Sequence, residues 1–227
     1  YTMAYLKEGY IMVYQDVRGR MMSEGEFVDV RPYKANKQQK ETDEASDTYD
    51  TIEWLLKRTE SNGNVGVYGV SYPGFYTTMA ALSQHPALKA VSPQAPVTDW
   101  FAGDDFHHNG AFMAMDAFSF YSGFGKNRPA PTKDFGKGYE FPIKDNYEFY
   151  LKTANIKNLT KLLGDSIKFW KDVIAHPNYD EWWQARNTRN HAQHIPASTA
   201  SLVVGGWFVP EDVFGALNLY QAIEQKS

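Results

Sequence analysis

The stretch Gly69-Val70-Ser71-Tyr72-Pro73-Gly74 constrains the fold more than any other part of the sequence. It joins a short β-rich run, Val65–Tyr68, to a helix-like segment over Tyr72–Ser83. A strand that passes at once into a helix, with small residues at the join, is the local plan of a parallel α/β unit. The alternation extends to both sides. Gly9–Val17 has the composition of a buried strand and stops at the turn signal Arg18-Gly19. Residues 20–40 are polar and read as a loop. Asp43–Arg58 reads as a helix, with acids in its first turn, Lys57-Arg58 in its last, and Ala45, Tyr49, Ile52 and Leu56 as its buried stripe. Leu88–Ser92 is a further strand. Strand–helix–strand–helix–strand predicts a parallel sheet with right-handed crossovers.

From 98 to 197 the alternation stops. This segment is rich in aromatics, Asn, Lys and Pro, and its clearest helices are Asp145–Lys152 and Leu159–Ile174. It reads as a helical insertion. Ala200–Gly205 resumes a buried strand, and Glu211–Lys226 forms a last amphipathic helix. A chain of 227 residues suits one large domain carrying such an insertion. The division expected is therefore 1–97, 98–197 and 198–227.

Composition removes several function classes. Lys plus Arg is 23 against 27 for Asp plus Glu, a net charge of −4, which argues against a nucleic-acid partner. No run approaches the roughly 18 apolar residues of a membrane span. With no cysteine, thiolate catalysis, disulfides and zinc–thiolate sites are excluded. Asp104-Asp105 with His107-His108 match no known metal-ligand spacing, and His191-x-x-His194, which could share a helix face, has no clear carboxylate to join it; no metal and no cofactor are expected. The chain opens at Tyr1 with no charged and apolar leader, so targeting signals do not give its compartment.

Ser71 admits two readings. It is either a serine capping the helix that follows or a nucleophile on a tight turn at the carboxyl edge of a parallel sheet. The strand before it and the helix after it favour the second. Gly69 lets helix and strand pass closely, and the Tyr72 amide, at a helix N-terminus, is placed to stabilise an oxyanion. Pro73 costs nothing in a first helical turn. The usual five-residue motif has glycine where Pro73 stands; here it comes one residue later, at Gly74. Glu211-Asp212 open the last helix. They are either dipole complements or a carboxylate pair at the sheet edge where α/β ligand sites lie.

Together, GYIMVYQDVRGRMMSEGEF at 9–27, SNGNVGVYGVSYPGFY at 61–76, HPALKAVSPQAPVTDWFAGDDFHHNGAF at 85–112 and VVGGWFVPEDVFGALNLYQAIE at 203–224 resemble the α-amino acid ester hydrolases. These belong to the cocaine-esterase (CocE/NonD) and X-Pro dipeptidyl-peptidase superfamily of α/β-hydrolases. The resemblance implies an α/β-hydrolase fold with a helical cap over 98–197. It also implies a serine hydrolase acting on small-molecule α-amino acid esters and amides, β-lactam side chains included. Ser71 matches the acylated nucleophile and Tyr72 the residue whose backbone N–H forms half of the oxyanion hole. Asp105, Glu211 and Asp212 match a carboxylate cluster that binds the substrate's α-ammonium. Asp16 and Arg18 match the D-x-R-G signature, read as structural. Export to the periplasm or medium and homo-oligomerisation are further implications of the resemblance.

The sequence also departs from that pattern. Val209 fills the position of the family's catalytic acid, and valine cannot orient an imidazolium. The family's histidine follows that acid, whereas all six histidines here lie at or before His194. The second oxyanion donor, the first strands and the C-terminal jelly roll are also missing, so the chain reads as a fragment of a larger enzyme. Alternatives that stay open are a related esterase, a glutaryl-cephalosporin acylase, an X-Pro dipeptidyl-peptidase, and a binding homologue without catalysis.

Overall fold

The computed structural model describes all residues except 1, 39, 104, 127, 210–212 and 226–227. In chain order the elements are α1 (Thr2–Lys7), α2 (Glu44–Arg58), β1 (Val65–Val70), α3 (Tyr72–Ala81), β2 (Leu88–Gln94), β3 (His107–His108) and β4 (Ala111–Phe112). They continue with α4 (Ala114–Tyr121), α5 (Asn146–Thr153), α6 (Ile156–Leu163), α7 (Lys168–Ala175), α8 (Glu181–Gln184), a 3₁₀ turn over Thr188–His194, β5 (Ala200–Ser201) and α9 (Val213–Glu224).

The parallel sheet runs in the order β1-β2-β5. β1–α3–β2 is the expected unit, with Val67 opposite Val91 and Val70 opposite Gln94. β5 is shorter than Ala200–Gly205, but its hydrogen bonds continue. The amides of Leu202 and Val204 donate to Val91 and Pro93, and the Ala95 amide donates to Val204. The run Val65–Tyr68 has the composition of a short buried strand, but in β1 only Gly69 is buried, Val65 and Val67 are partly buried, and Val70 is 55% exposed.

Gly9–Val17 is not a strand, and Tyr10, Ile11, Val13 and Tyr14 are exposed. β-rich composition does not make a strand without a hydrogen-bonding neighbour, and the described residues provide none. The D-x-R-G segment that follows is nonetheless fixed. Arg18 forms a two-pronged ion pair with Asp47 in the first turn of α2, with Nε–Oδ2 at 2.8 Å. That partner raises the Arg18 pKa.

α2 starts where the sequence predicts. Asp43 caps it reciprocally with Ser46, each backbone amide donating to the other's side chain at 2.9 Å. Ala45 and Ile52 are buried and Leu56 is partly buried, but Tyr49 is exposed. The predicted helix Leu159–Ile174 is two helices, α6 and α7, divided at Gly164, whose φ of 67° lies in the region that favours glycine. The Trp170 indole N–H ties them together by donating to Thr160 Oγ1 at 2.9 Å. The aromatics of this segment fill a core: Trp100, Phe106, Phe118, Tyr121, Phe149 and Trp183 join one cluster with Tyr72, Phe75 and Met79 of α3. No described helix is long and apolar enough to cross a membrane.

Candidate active site

Ser71 sits between β1 and α3 at φ 62° and ψ −120°, a conformation that side-chain-bearing residues avoid. Its amide donates to Gln94 O at 2.9 Å, its carbonyl accepts from the Phe75 amide at 3.1 Å, and its side chain makes no capping hydrogen bond. The capping reading of this serine therefore fails. The residue is exposed at the carboxyl end of the strand.

Two glycines permit this turn. A Cβ on Gly69 would lie 2.4 Å from Pro73 O, and one on Gly74 would lie 2.7 Å from Gln94 O and 2.9 Å from Pro96 Cα. This explains the displaced glycine of the motif. Residue 73 is exposed and its carbonyl covers Gly69, whereas residue 74 is the one pressed against the chain leaving β2.

Ser71 and Tyr72 open onto a cleft of about 400 Å³ that Asp105 also lines. Val97, Trp100, Phe106 and Phe120 supply apolar walls, and Asp116 adds a second carboxylate. The fold thus brings together three of the residues singled out in the sequence. Glu211 and Asp212 lie outside the described residues, as does Asp104. The helix after them, α9, docks where any Cβ on Gly215 would fall on the Pro96 carbonyl.

The loop leading to Asp105 is held by a buried carboxylate, Asp99. Its Oδ1 accepts the amides of Phe101 and Ala102 at 3.1 Å, and its Oδ2 accepts Tyr179 Oη, Asn187 Nδ2 and Arg189 Nη2 at 2.8–2.9 Å. Five donors on one buried carboxylate offset its desolvation.

None of the six histidines is among the residues lining the cleft. His85 is buried between Glu53 and the Ala87 amide. His107 stacks on Phe101 with centroids 3.9 Å apart, and burial lowers its pKa. His176 bonds Asp180 and stacks on Trp182. His191 and His194 both pack on Tyr33. Among the described residues no three His, Asp or Glu side chains gather as a metal site. Val209 follows β5, with its amide donating to Gly206 O at 3.2 Å.

One residue of this neighbourhood escaped the sequence reading. Asp29, in the polar 20–40 loop, is 8% exposed and its Oδ1 accepts the Tyr72 hydroxyl at 3.0 Å. Burial raises its pKa to about 7, against the opposing effects of the Tyr72 hydrogen bond and Arg20. The folded state therefore binds this proton more tightly than the unfolded chain, whose Asp titrates near 4. Stability from this group is full below about pH 4 and is lost as pH rises through about 7, a change on the order of a few kcal/mol. Asp29→Asn is expected to flatten that decline, read from denaturant midpoints between pH 4 and 8. An unchanged slope would place the titration elsewhere.

Comparison with known proteins adds the family. The X-Pro dipeptidyl-peptidase (S15 family) profile matches residues 1–227. Cocaine esterase of Rhodococcus sp. (strain MB1 Bresler) is 30% identical over 215 residues, covering 90% of this chain and 34% of that protein. A solved α-amino acid ester hydrolase superposes with a TM-score of 0.87 at 34% identity, covering 98% of this chain and 36% of the other. An aminopeptidase from a marine sediment archaeon, Thaumarchaeota archaeon, gives 0.87 at 37% identity, covering 97% and 36%. The chain thus spans about a third of the length of these relatives, with the parallel sheet and helices of an α/β-hydrolase. With the whole chain matched by one profile and the fold shared at this identity, the chain belongs to the X-Pro dipeptidyl-peptidase (S15) family.

Proposed function

We propose that this chain supplies the nucleophile of a serine hydrolase that acts on α-amino acid esters and amides, β-lactam side chains among them. The observation that carries the reading is Ser71: a strained, exposed serine at a strand-to-helix turn, opening onto the cleft that Asp105 lines. Strain of this kind clusters where function needs it.

In this scheme Ser71 Oγ attacks the acyl carbonyl and passes its proton to a base, which returns it to the leaving alkoxide or amine. The Tyr72 amide, in the first turn of α3, bonds the oxyanion. Water or a second amine then takes the acyl group from Ser71. The base is a histidine from outside these residues, since none lines the cleft. Asp105, with Glu211 and Asp212 by resemblance, attracts the α-ammonium and disfavours neutral or anionic groups there.

A second reading has one observation in its favour. By resemblance, Val209 stands where the family has its catalytic acid, as it would in a homologue that binds without turning over. Fluorophosphonate labelling of the complete protein separates the two. A single adduct mapped by mass spectrometry to Ser71 is the expected result, and no adduct at Ser71 would favour the binding homologue.

A further inference from the structure

Behind the serine turn, one phenol holds two strained segments together. The Tyr72 side chain is buried among Phe75, Tyr76, Trp100 and Phe124, with ring centroids at 5.0–5.9 Å. Its hydroxyl donates to Asp29 Oδ1 at 3.0 Å and accepts the Val30 amide at 3.1 Å. Val30 is 1% exposed and has a φ of 43°. A β-branched residue in that region is an outlier, and it persists only where its surroundings over-determine it. The adjacent residues 29 and 30 thus both grip the oxygen of residue 72, which directly follows the equally unusual Ser71.

We infer that Asp29 is a positioning residue for the reaction: through the Tyr72 phenol it fixes where the Tyr72 amide and Ser71 stand relative to the cleft. This rests on the reading of Ser71 as nucleophile. The physical reason lies in the shortness of the lever. The phenol and the amide belong to one residue, so releasing the phenol frees the first turn of α3 to rotate. The amide must point to where the oxyanion forms, and displacement by a fraction of an ångström weakens that bond. Aromatic packing surrounds the ring; the paired acceptor and donor at 29 and 30 in addition fix where the phenol oxygen, the far end of the side chain, stands. Asp29 touches no reacting atom in this scheme, and its effect passes entirely through Tyr72.

Saturation kinetics of fluorophosphonate labelling in the complete protein test the inference. Asp29→Leu and Tyr72→Phe are each expected to lower the maximal labelling rate about 10-fold, with the half-saturating concentration unchanged. Asp29→Asn, which keeps an acceptor for the phenol, is expected to stay within about twofold of wild type. The double variant Asp29→Leu/Tyr72→Phe is expected to be no slower than Tyr72→Phe, which already removes the bond that Asp29→Leu removes. Circular dichroism checks that each variant folds. If Asp29→Leu does not, Tyr72→Phe and Asp29→Asn decide. Wild-type rates in folded Tyr72→Phe, Asp29→Asn as slow as Asp29→Leu, or losses that multiply would each overturn the role of Asp29 alone. A wild type that does not label at Ser71 would overturn the nucleophile reading, and this inference with it.

Discussion

Ser71→Gly is expected to abolish turnover and, in the same protein, to raise the thermal midpoint. The first half follows from chemistry: without Oγ no acyl-enzyme forms, and loss of a serine nucleophile costs on the order of 10⁴-fold or more in kcat. The second half follows from the backbone. At φ 62° and ψ −120° Ser71 occupies a region that glycine enters freely and other residues enter at about 1–3 kcal/mol. Glycine gives part of that back, because a more flexible unfolded chain costs about 0.4–1 kcal/mol. The net gain is about 1 kcal/mol, or a rise of about 2–4 °C for a chain of this size. Ser71→Ala is the control. It removes Oγ and keeps the strain, so it loses activity with no gain in midpoint. Gly and Ala variants of equal stability would show that no strain is stored at Ser71. Turnover surviving in either would place the nucleophile elsewhere.

What could be read in advance divides by the range of the interactions involved. The turn at 69–74 was legible because its causes are local: a strand, two close approaches that only glycine permits, and a helix start. The same holds for α2, where Asp43 and Ser46 cap each other across three residues. Gly9–Val17 misled because a strand is defined by its neighbours, and composition does not show whether they are present. Leu159–Ile174 misled because apolar spacing runs on through Gly164, where the backbone turns left-handed. Asp29 was illegible for a different reason. Nothing in a polar loop announces that one carboxylate will be buried against a phenol 43 positions away. The substrate-binding role of Asp105 came only from resemblance. Its place in the Ser71 cleft depends on the Asp99 network, which gathers donors from as far as Arg189.

Asp105→Asn is expected to remove selectivity for the α-amino ester more than it reduces activity on the matched neutral ester. The substitution keeps the shape of the side chain and removes its charge, so apolar contacts in the cleft survive while attraction for a cation is lost. Removing one partner of a desolvated charge pair costs about 2–5 kcal/mol, which sets the expected fall in kcat/KM for an α-amino ester at about 100-fold. The matched ester lacking the amino group has no cation for Asp105 to attract, and is expected to react about equally well in the variant. The pH dependence provides an independent check. An α-amino group titrates near 8, so the wild-type preference for the amino ester is present below about pH 8 and is lost as pH rises through it. In Asp105→Asn that pH-dependent preference is expected to be weak at every pH. Equal losses on both esters would mean that Asp105 supports the cleft wall and does not recognise the ammonium. A wild type that turns over both esters equally would remove the ammonium from the function altogether, leaving Ser71 as the nucleophile of a hydrolase with another substrate.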